Sequence, residues 1–457
     1  MNRNHVITID QEAKLMNTQM IQSPKLLHKF AGNESCCIFR VPQSLVELNK
    51  EAYQPRIVSI GPYHHGSKNL QMIEEHKWRF LHGLISRTRK PLSSFLYSIV
   101  SMEKAIRESY SESIEHIGSN DLAKMMVLDG VFLIELFRKV GRLIPTDQDD
   151  PIFKMVWMSP LLLRDLLRIE NQIPFFVIQK LFDESRFGTN DVRKLPSLIL
   201  DFFNHTVDRP EKVLDRYVKL EGKHLLDFFR KSFIKDPVPI EGTDKPNNPS
   251  LKRKDPVPIE GTDKPNNPSL KRIQPATTLV VAGVKFEENH EADSFLDIEF
   301  KKGVLSIPRI TMDDFYTSFF LNGMAFEQCY SKCSKDITTY VVFLGWLINN
   351  SADVGLLSES KVIENYFGTD KELVKFFNHV GKDVPFNIKD NYLKGLFIEV
   401  NEYCKNGWHV TWAGFKHRYF ESPWASISAG AAFALLVLAL LQTLYTMIQY
   451  YHASKSK

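Results

Sequence analysis

Apolar positions crowd most densely near the end of the chain. From Trp424 to Tyr451 no residue carries a formal charge, and Ala425 to Ile448 is apolar almost throughout. At about 1.5 Å per residue this stretch extends roughly 36 Å as a helix, enough to cross a hydrocarbon core of about 30 Å. A lone segment in lipid must satisfy its own backbone groups, so it is expected to be a transmembrane helix. Tyr419, Phe420 and Trp424 before it, and Tyr445, Tyr450 and Tyr451 after it, sit where interfacial aromatics belong. A buried core helix is the competing reading, and the length of the run disfavours it.

Upstream, the pattern is mostly helical. Asp121–Lys139 is apolar almost all round, which predicts a central buried helix. Within it, Glu135 precedes Lys139 by four, an arrangement expected to form an exposed-face pair. Asp129 lies among Leu128, Val131 and Phe132 and must find partners if buried. A structural hydrogen bond to a neighbouring helix end is expected there, not catalysis. Leu161–Glu170 predicts another helix, Asn171–Pro174 a break, and Pro174 the start of a helix over Phe175–Phe182. Phe295–Phe300 and Val304–Ile307 flank Lys301-Lys302-Gly303, a hairpin signal with glycine in the turn. Helical patterning resumes over Ser318–Cys333 and Thr339–Asn350. Phenylalanine pairs at 175–176, 202–203, 228–229, 319–320 and 376–377 mark strongly buried faces. The fold class expected is mainly α: a composite helical domain with a small β-hairpin and one C-terminal transmembrane helix.

Organisation follows from the same pattern. Residues 1–34 are polar and weakly patterned, the signature of a mobile leader. Residues 35–420 read as one composite domain, and 424–457 as the transmembrane helix with its tail. The composite domain is interrupted where Lys235–Arg253 is repeated without a change as Lys254–Arg272. This duplication, 235–272, holds 8 of the 23 prolines and almost no large apolar groups. It cannot bury enough surface to offset its ordering entropy, so a disordered linker is expected, with spacing as its role. Nor has the unit an apolar face with which to stack as a solenoid.

Composition narrows the function. A net charge of +4 from 58 basic and 54 acidic residues, with no dense basic run, argues against nucleic-acid binding. Cys36, Cys37, Cys329, Cys333 and Cys404 form no disulfide framework and fit a reducing compartment. Sequons at Asn33, Asn204 and Asn349 point weakly the other way. The first ten residues lack the apolar run of a secretory signal, which favours a cytosolic location for the soluble domain. Lys416 and Arg418 upstream of the anchor are balanced by Lys455 and Lys457 downstream, so charge does not orient it.

Three constellations invite a chemical reading. Gly61-Pro-Tyr-His-His-Gly-Ser-Lys68 lies between a strand-like Arg56–Ile60 and a helix-like Leu70–Ser86, the setting of a phosphate-binding loop. The chemistry does not fit: Pro62 removes a backbone N–H, the next residues are bulky, and Ser67 precedes Lys68. His64, His65, Glu74, Glu75, His76 and His82 could be read as metal ligands, but no zinc signature spaces them. Cys329 and Cys333 lack a Cys-x-x-Cys turn and read as small buried hydrophobes. No Gly-x-Ser-x-Gly elbow is present.

Several segments together are similar to a plant family known as domain of unknown function 247. They are Cys37–Leu45, Ala52–Gly66, Glu75–Arg79, Met126–Phe137, Glu170–Phe176, Ala282–Phe286, Gly303–Pro308, Ala325–Cys329 and Ser422–Trp424. The resemblance runs in order over residues 35 to 450. It implies a membrane-anchored, mostly helical plant protein, and it brings no catalytic residues to carry over. Some relatives are implicated in pollen–stigma self-incompatibility, which by resemblance suggests recognition or signalling.

The expected function is therefore a non-enzymatic, single-pass membrane protein, held in the bilayer through 425–448 and acting through contacts with an unknown protein partner. No catalytic, cofactor-binding or metal residue is assigned, and no small-molecule substrate is identified. The alternative is a membrane-tethered enzyme with a pocket around Tyr63, His64, His65 and His76.

Overall fold

The computed structural model describes residues 11–18, 20–21, 33–147, 149–187, 193–234, 270–381, 384–405 and 423–455. Most of the duplicated segment (235–269), most of the leader, and Tyr419 and Phe420 lie outside the described residues. The principal helices of the first half are α1 (Glu74–Thr88), α2 (Leu92–Val100), α3 (Ser119–Val140), α4 (Met158–Asp165), α5 (Phe175–Glu184), α6 (Leu195–Val207) and α7 (Leu225–Lys231). Helix α3 is the hub, with α1, α2, α5 and α6 packed around it. Its all-round apolar sequence is the reason: nearly every residue from Leu122 to Arg138 is buried.

After the duplicated segment come β1 (Lys285–Glu288), β2 (Glu299–Lys301), β3 (Val304–Ile307) and β4 (Ile310–Met312). Helices α8 (Asp314–Cys329), α9 (Asp336–Leu347) and α10 (Ser351–Glu359) follow, then β5 (Ile363–Asn365), α11 (Asp370–Val380), α12 (Lys394–Lys405) and α13 (Pro423–Lys455). The structure is thus mostly helical with two small sheets. Strands β2 and β3 form the expected hairpin, with Phe300 opposite Leu305. Its two-residue turn carries positive φ at both Lys302 (51°) and Gly303 (83°), a twist that matches the flanking strands. Strand β1 joins β3 in parallel, and β4 pairs with β5, also in parallel. Neither was predicted, because strands of three or four residues with few apolar positions leave little periodic signal.

Helix α8 ties the halves together. Asn322 Oδ1 accepts the Ile169 N–H at 3.0 Å, while its Nδ2 donates to the Ala52 carbonyl at 2.9 Å. An aromatic lattice surrounds this seam: Phe229 meets Phe203 and Phe319 with ring centroids 4.8 and 4.9 Å apart, and Phe295 meets Phe233 and Tyr340 at 4.7 and 4.9 Å. Buried side chains from Cys36 to Val400 form one contiguous core, drawn from both sides of the duplicated segment. The phenylalanine pairs feed it as expected, although Phe176 faces outward at 38% exposure.

Several sequence-based boundaries need correction. Helix α4 stops at Asp165, not Glu170, because the chain continues in tight three-residue turns from Leu167 to Asn171. Helix α8 runs Asp314–Cys329, where Ser318–Cys333 was predicted; the Asp313 carboxylate caps it by accepting the Tyr316 N–H. Helix α9 ends at Leu347, not Asn350, since Asn350 and Asp353 form the capping box of α10. Pro174 stands just before α5, at its cap. A 3₁₀ segment over Lys68–Ile73 precedes α1. Arg56–Ile60, strand-like in sequence, is no strand: the chain bends at Arg56 and Ile57 and joins no sheet. Glu135 and Lys139 are not an exposed pair: Glu135 is buried against Arg87 and Arg138, and Lys139 turns toward Asp150 at 3.5 Å.

Candidate functional site

The irregular stretch Arg56–Gly61 has no strand neighbour, so its amide donors need other acceptors. Side chains supply them. The Asp165 carboxylate, at the end of α4, accepts the N–H groups of Arg56, Ile57 and Val58 at 2.8–3.2 Å. Arg168 Nε stands 3.0 Å from the same carboxylate. Asn171 works like a short strand of its own: its Oδ1 accepts the Ile60 N–H at 2.7 Å, and its Nδ2 donates to the Val58 carbonyl at 3.1 Å. The last amide, Gly61 N–H, donates to Asp129 Oδ2 at 2.8 Å.

Asp129 is therefore a structural residue in the sense expected, although its partner is a loop amide and not a helix end. Its other oxygen meets Lys77 Nζ at 2.6 Å, and that ammonium also donates to the Ser59 carbonyl and approaches Glu74 at 2.6 Å. Burial disfavours the Lys77 ammonium, yet Asp129 and Glu74 outweigh burial and raise its pKa above the ordinary lysine value. The Gly61 amide that a phosphate cradle would use is already taken, and Lys68 is exposed.

The residues of the candidate enzyme pocket separate. Tyr63 and His64 belong to a polar cluster at Glu170, whose carboxylate accepts the Val41 N–H at 2.8 Å and Arg40 Nη1 at 2.7 Å, with His64 Nε2 at 3.4 Å. Arg40 lies over the Tyr63 ring at 4.2 Å, and the Tyr63 hydroxyl is 3.2 Å from Ser111 Oγ. His65 is exposed on the same turn. His76 sits on α1, its pKa lowered by partial burial and by the nearby Arg79 guanidinium. Among the described residues no group of three His, Cys, Asp or Glu side chains is placed to hold a metal ion.

Cys36 and Cys37 are buried and their thiols are pushed up to about 12, chiefly by burial; Cys329 and Cys333 are raised to about 11 for the same reason. All five cysteines are free thiols. Such thiols are poor nucleophiles.

Sequence reasoning missed Asp165, Asn171, Gln172 and Lys77, and a second buried cluster around Glu327. Gln172 Nε2 donates to the Leu166 and Arg168 carbonyls, and the Gln172 backbone carbonyl accepts from the Tyr110 hydroxyl at 3.1 Å. Glu327 accepts the Ile337 and Thr338 N–H groups at the start of α9 and sits 3.3 Å from Arg230. One signal was visible: Glu170-Asn171-Gln172 is a polar run inside an apolar stretch, and polar groups so placed are normally hydrogen-bonded.

Gly61 tests the arrangement. Its φ of +78° disfavours any side chain, and an added Cβ would lie 2.3 Å from the Gln172 carbonyl oxygen. Gly61→Ala is expected to cost about 2 kcal/mol, read as a lowered unfolding midpoint in urea. An unchanged midpoint would mean that the turn can relax away from Gln172.

Fold and network together define a mainly helical protein whose buried polar groups hold an irregular segment in place and whose C-terminal helix is apolar. The chain belongs to the plant family DUF247, described as plant protein of unknown function, whose profile matches residues 38–438. It is 39% identical to the UPF0481 protein At3g47200 of Arabidopsis thaliana over 440 residues, covering 95% of this chain and 91% of that protein. The putative UPF0481 protein At3g02645 of the same plant is 24% identical over 514 residues, covering 95% and 94%. No solved structure matches the chain.

Proposed function

We propose that the protein is a non-enzymatic, single-pass membrane protein that presents its helical body to a protein partner. The observation that carries this reading is α13. Its stretch Gly430–Ile448 is long and apolar enough to cross a bilayer and buries nothing against the body. A nineteen-residue stretch that is exposed throughout and apolar but for Gln442, Thr443 and Thr446 favours another solvent, and lipid is the one that fits. Support for a non-catalytic body comes from its buried ionisable groups, since Asp129, Lys77, Asp165 and Glu327 are all engaged with backbone amides or with one another.

The body is placed on the cytosolic side, a reading favoured by five free thiols. Of the sequons, Asn204 is an awkward acceptor, because both ends of its side-chain amide are bonded to the Arg209 backbone. Asn349 is exposed and is the informative site.

The test is fractionation of plant microsomes. The full chain is expected to resist carbonate extraction, and a chain lacking Pro423–Lys455 to become soluble. Recovery of the full chain in the carbonate supernatant would sink the anchor. Protease digestion of sealed vesicles should remove the body, and a glycosidase-sensitive mass at Asn349 would reverse the orientation. The enzyme reading would gain only if an activity of the purified chain disappeared in His64→Ala while its unfolding curve stayed the same.

A further inference from the structure

A cavity of about 790 Å³ opens between the start of α5, the start of α6 and the loop Val218–Lys223, away from the buried networks described above. Its size is that of a small-molecule site. The floor is apolar: Phe175, Phe176, Leu195, Pro196 and Leu220 line it. This floor is fixed in place, because Phe175 stacks on Phe228 at 5.4 Å and its N–H donates to the Lys223 carbonyl at 2.8 Å. The loop wall is held from the other side as well, where the Lys223 N–H donates to Asp227 at 2.9 Å.

The charges around this floor are one-sided. Arg186, Lys194, Lys219 and Lys223 line the cavity, against a single acid, Glu221. Arg186 has Asp183 at 3.5 Å. Among the described residues no carboxylate pairs with Lys194, Lys219 or Lys223. Cys37 also lines the cavity, and its raised pKa keeps it a neutral thiol.

We infer that this cavity binds an apolar carboxylate, with its hydrocarbon or aromatic body on the phenylalanine floor and its anionic group among the lysines. The two halves of the lining select together. An uncharged hydrophobe would leave three lysines facing an apolar body. A polyphosphate would leave the aromatic floor uncovered. A carboxylate on an aromatic or aliphatic body satisfies both, through burial and through charge-assisted hydrogen bonds. This site is independent of the membrane reading and of the partner.

Calorimetric titration of the full chain in phosphatidylcholine nanodiscs tests it, with empty nanodiscs as reference. The probes are biphenyl-4-carboxylate, its neutral carboxamide and biphenyl-4-methylamine. The carboxylate is expected to bind saturably and at least about tenfold more tightly than the amide, the equivalent of one charge-assisted contact. The amine should bind more weakly still. Lys194→Gln combined with Lys223→Gln, both exposed positions, should weaken the carboxylate about tenfold or more without moving the unfolding midpoint. Phe176→Ala should weaken all three probes. Equal affinity for the three probes would overturn the inference, as would carboxylate binding indifferent to the paired lysine change or equal to that of empty nanodiscs.

Discussion

Asp129→Ala is expected to destabilise the folded body by about 3–5 kcal/mol, the range seen when one member of a buried ion pair is removed. The change strands two groups at once. Lys77, which is 1% exposed, keeps Glu74 but loses its buried counter-charge, and the Gly61 amide loses its acceptor. An unsatisfied buried donor alone costs about 1–3 kcal/mol. Two further variants separate the contributions. Asp129→Asn keeps an acceptor for Gly61 while removing the charge, and should fall between the wild type and the alanine variant. Asp129→Leu combined with Lys77→Met removes both charges and should recover much of the loss, leaving the Ser59 carbonyl and the Gly61 amide as the remaining deficit. Urea unfolding of the full chain in detergent, followed by far-ultraviolet circular dichroism, gives the comparison. A loss under about 1 kcal/mol for the alanine variant would show that the pair does not hold the Arg56–Gly61 segment.

Acidification should destabilise the body through His224, by about 3 kcal/mol between pH 6.5 and pH 4. This histidine is fully buried and caps α7: its Nδ1 accepts the Asp227 N–H at 3.3 Å, and its Nε2 lies 3.0 Å from the Cys37 carbonyl. Those two partners define a neutral ring, with Nε2 protonated and Nδ1 bare. A second proton would turn Nδ1 into a donor facing another donor. Burial is the main cause of the lowered pKa, about 4, with the Arg230 and Lys231 charges adding to it and the Asp227 carboxylate opposing it. The sign follows directly. The unfolded ring takes up its proton near pH 6.5 and the folded ring only near 4, so the unfolded state binds more protons between those values and gains on the folded one. The contribution is complete above pH 6.5 and gone below about 4. His224→Gln should be less stable at pH 7 and should show a flatter pH profile over that window. An unaltered slope in the variant would assign the acid sensitivity to other groups.

Helical elements were legible where the pattern was long. The all-round apolar run of α3 announced a central helix, and the two lysines and glycine at 301–303 announced a turn, because each is a local signal. Helix ends fell three or four residues from their expected positions where a side chain decided them, as Asp313 does at the start of α8 and the Asn350–Asp353 capping box does at the end of α9. The polar clusters were hardly legible. Asp165 and Arg56 are separated by 109 residues, and Asn322 and Ala52 by 270, so nothing local in the sequence pairs them. The Glu135–Lys139 spacing misled for the complementary reason. Helical periodicity says which residues are neighbours, but the packing of α1 and α5 against α3 decides which of them reach water.

A loop with open amides offers donors that the carbonyls of a second chain can take. Arg56–Gly61 lacks that opening, because the N–H groups of Arg56, Ile57, Val58, Ile60 and Gly61 are all held by carboxylate or amide side chains. Backbone pairing with a second chain is therefore closed at this stretch. The same capping guards the stretch against pairing between copies of the chain.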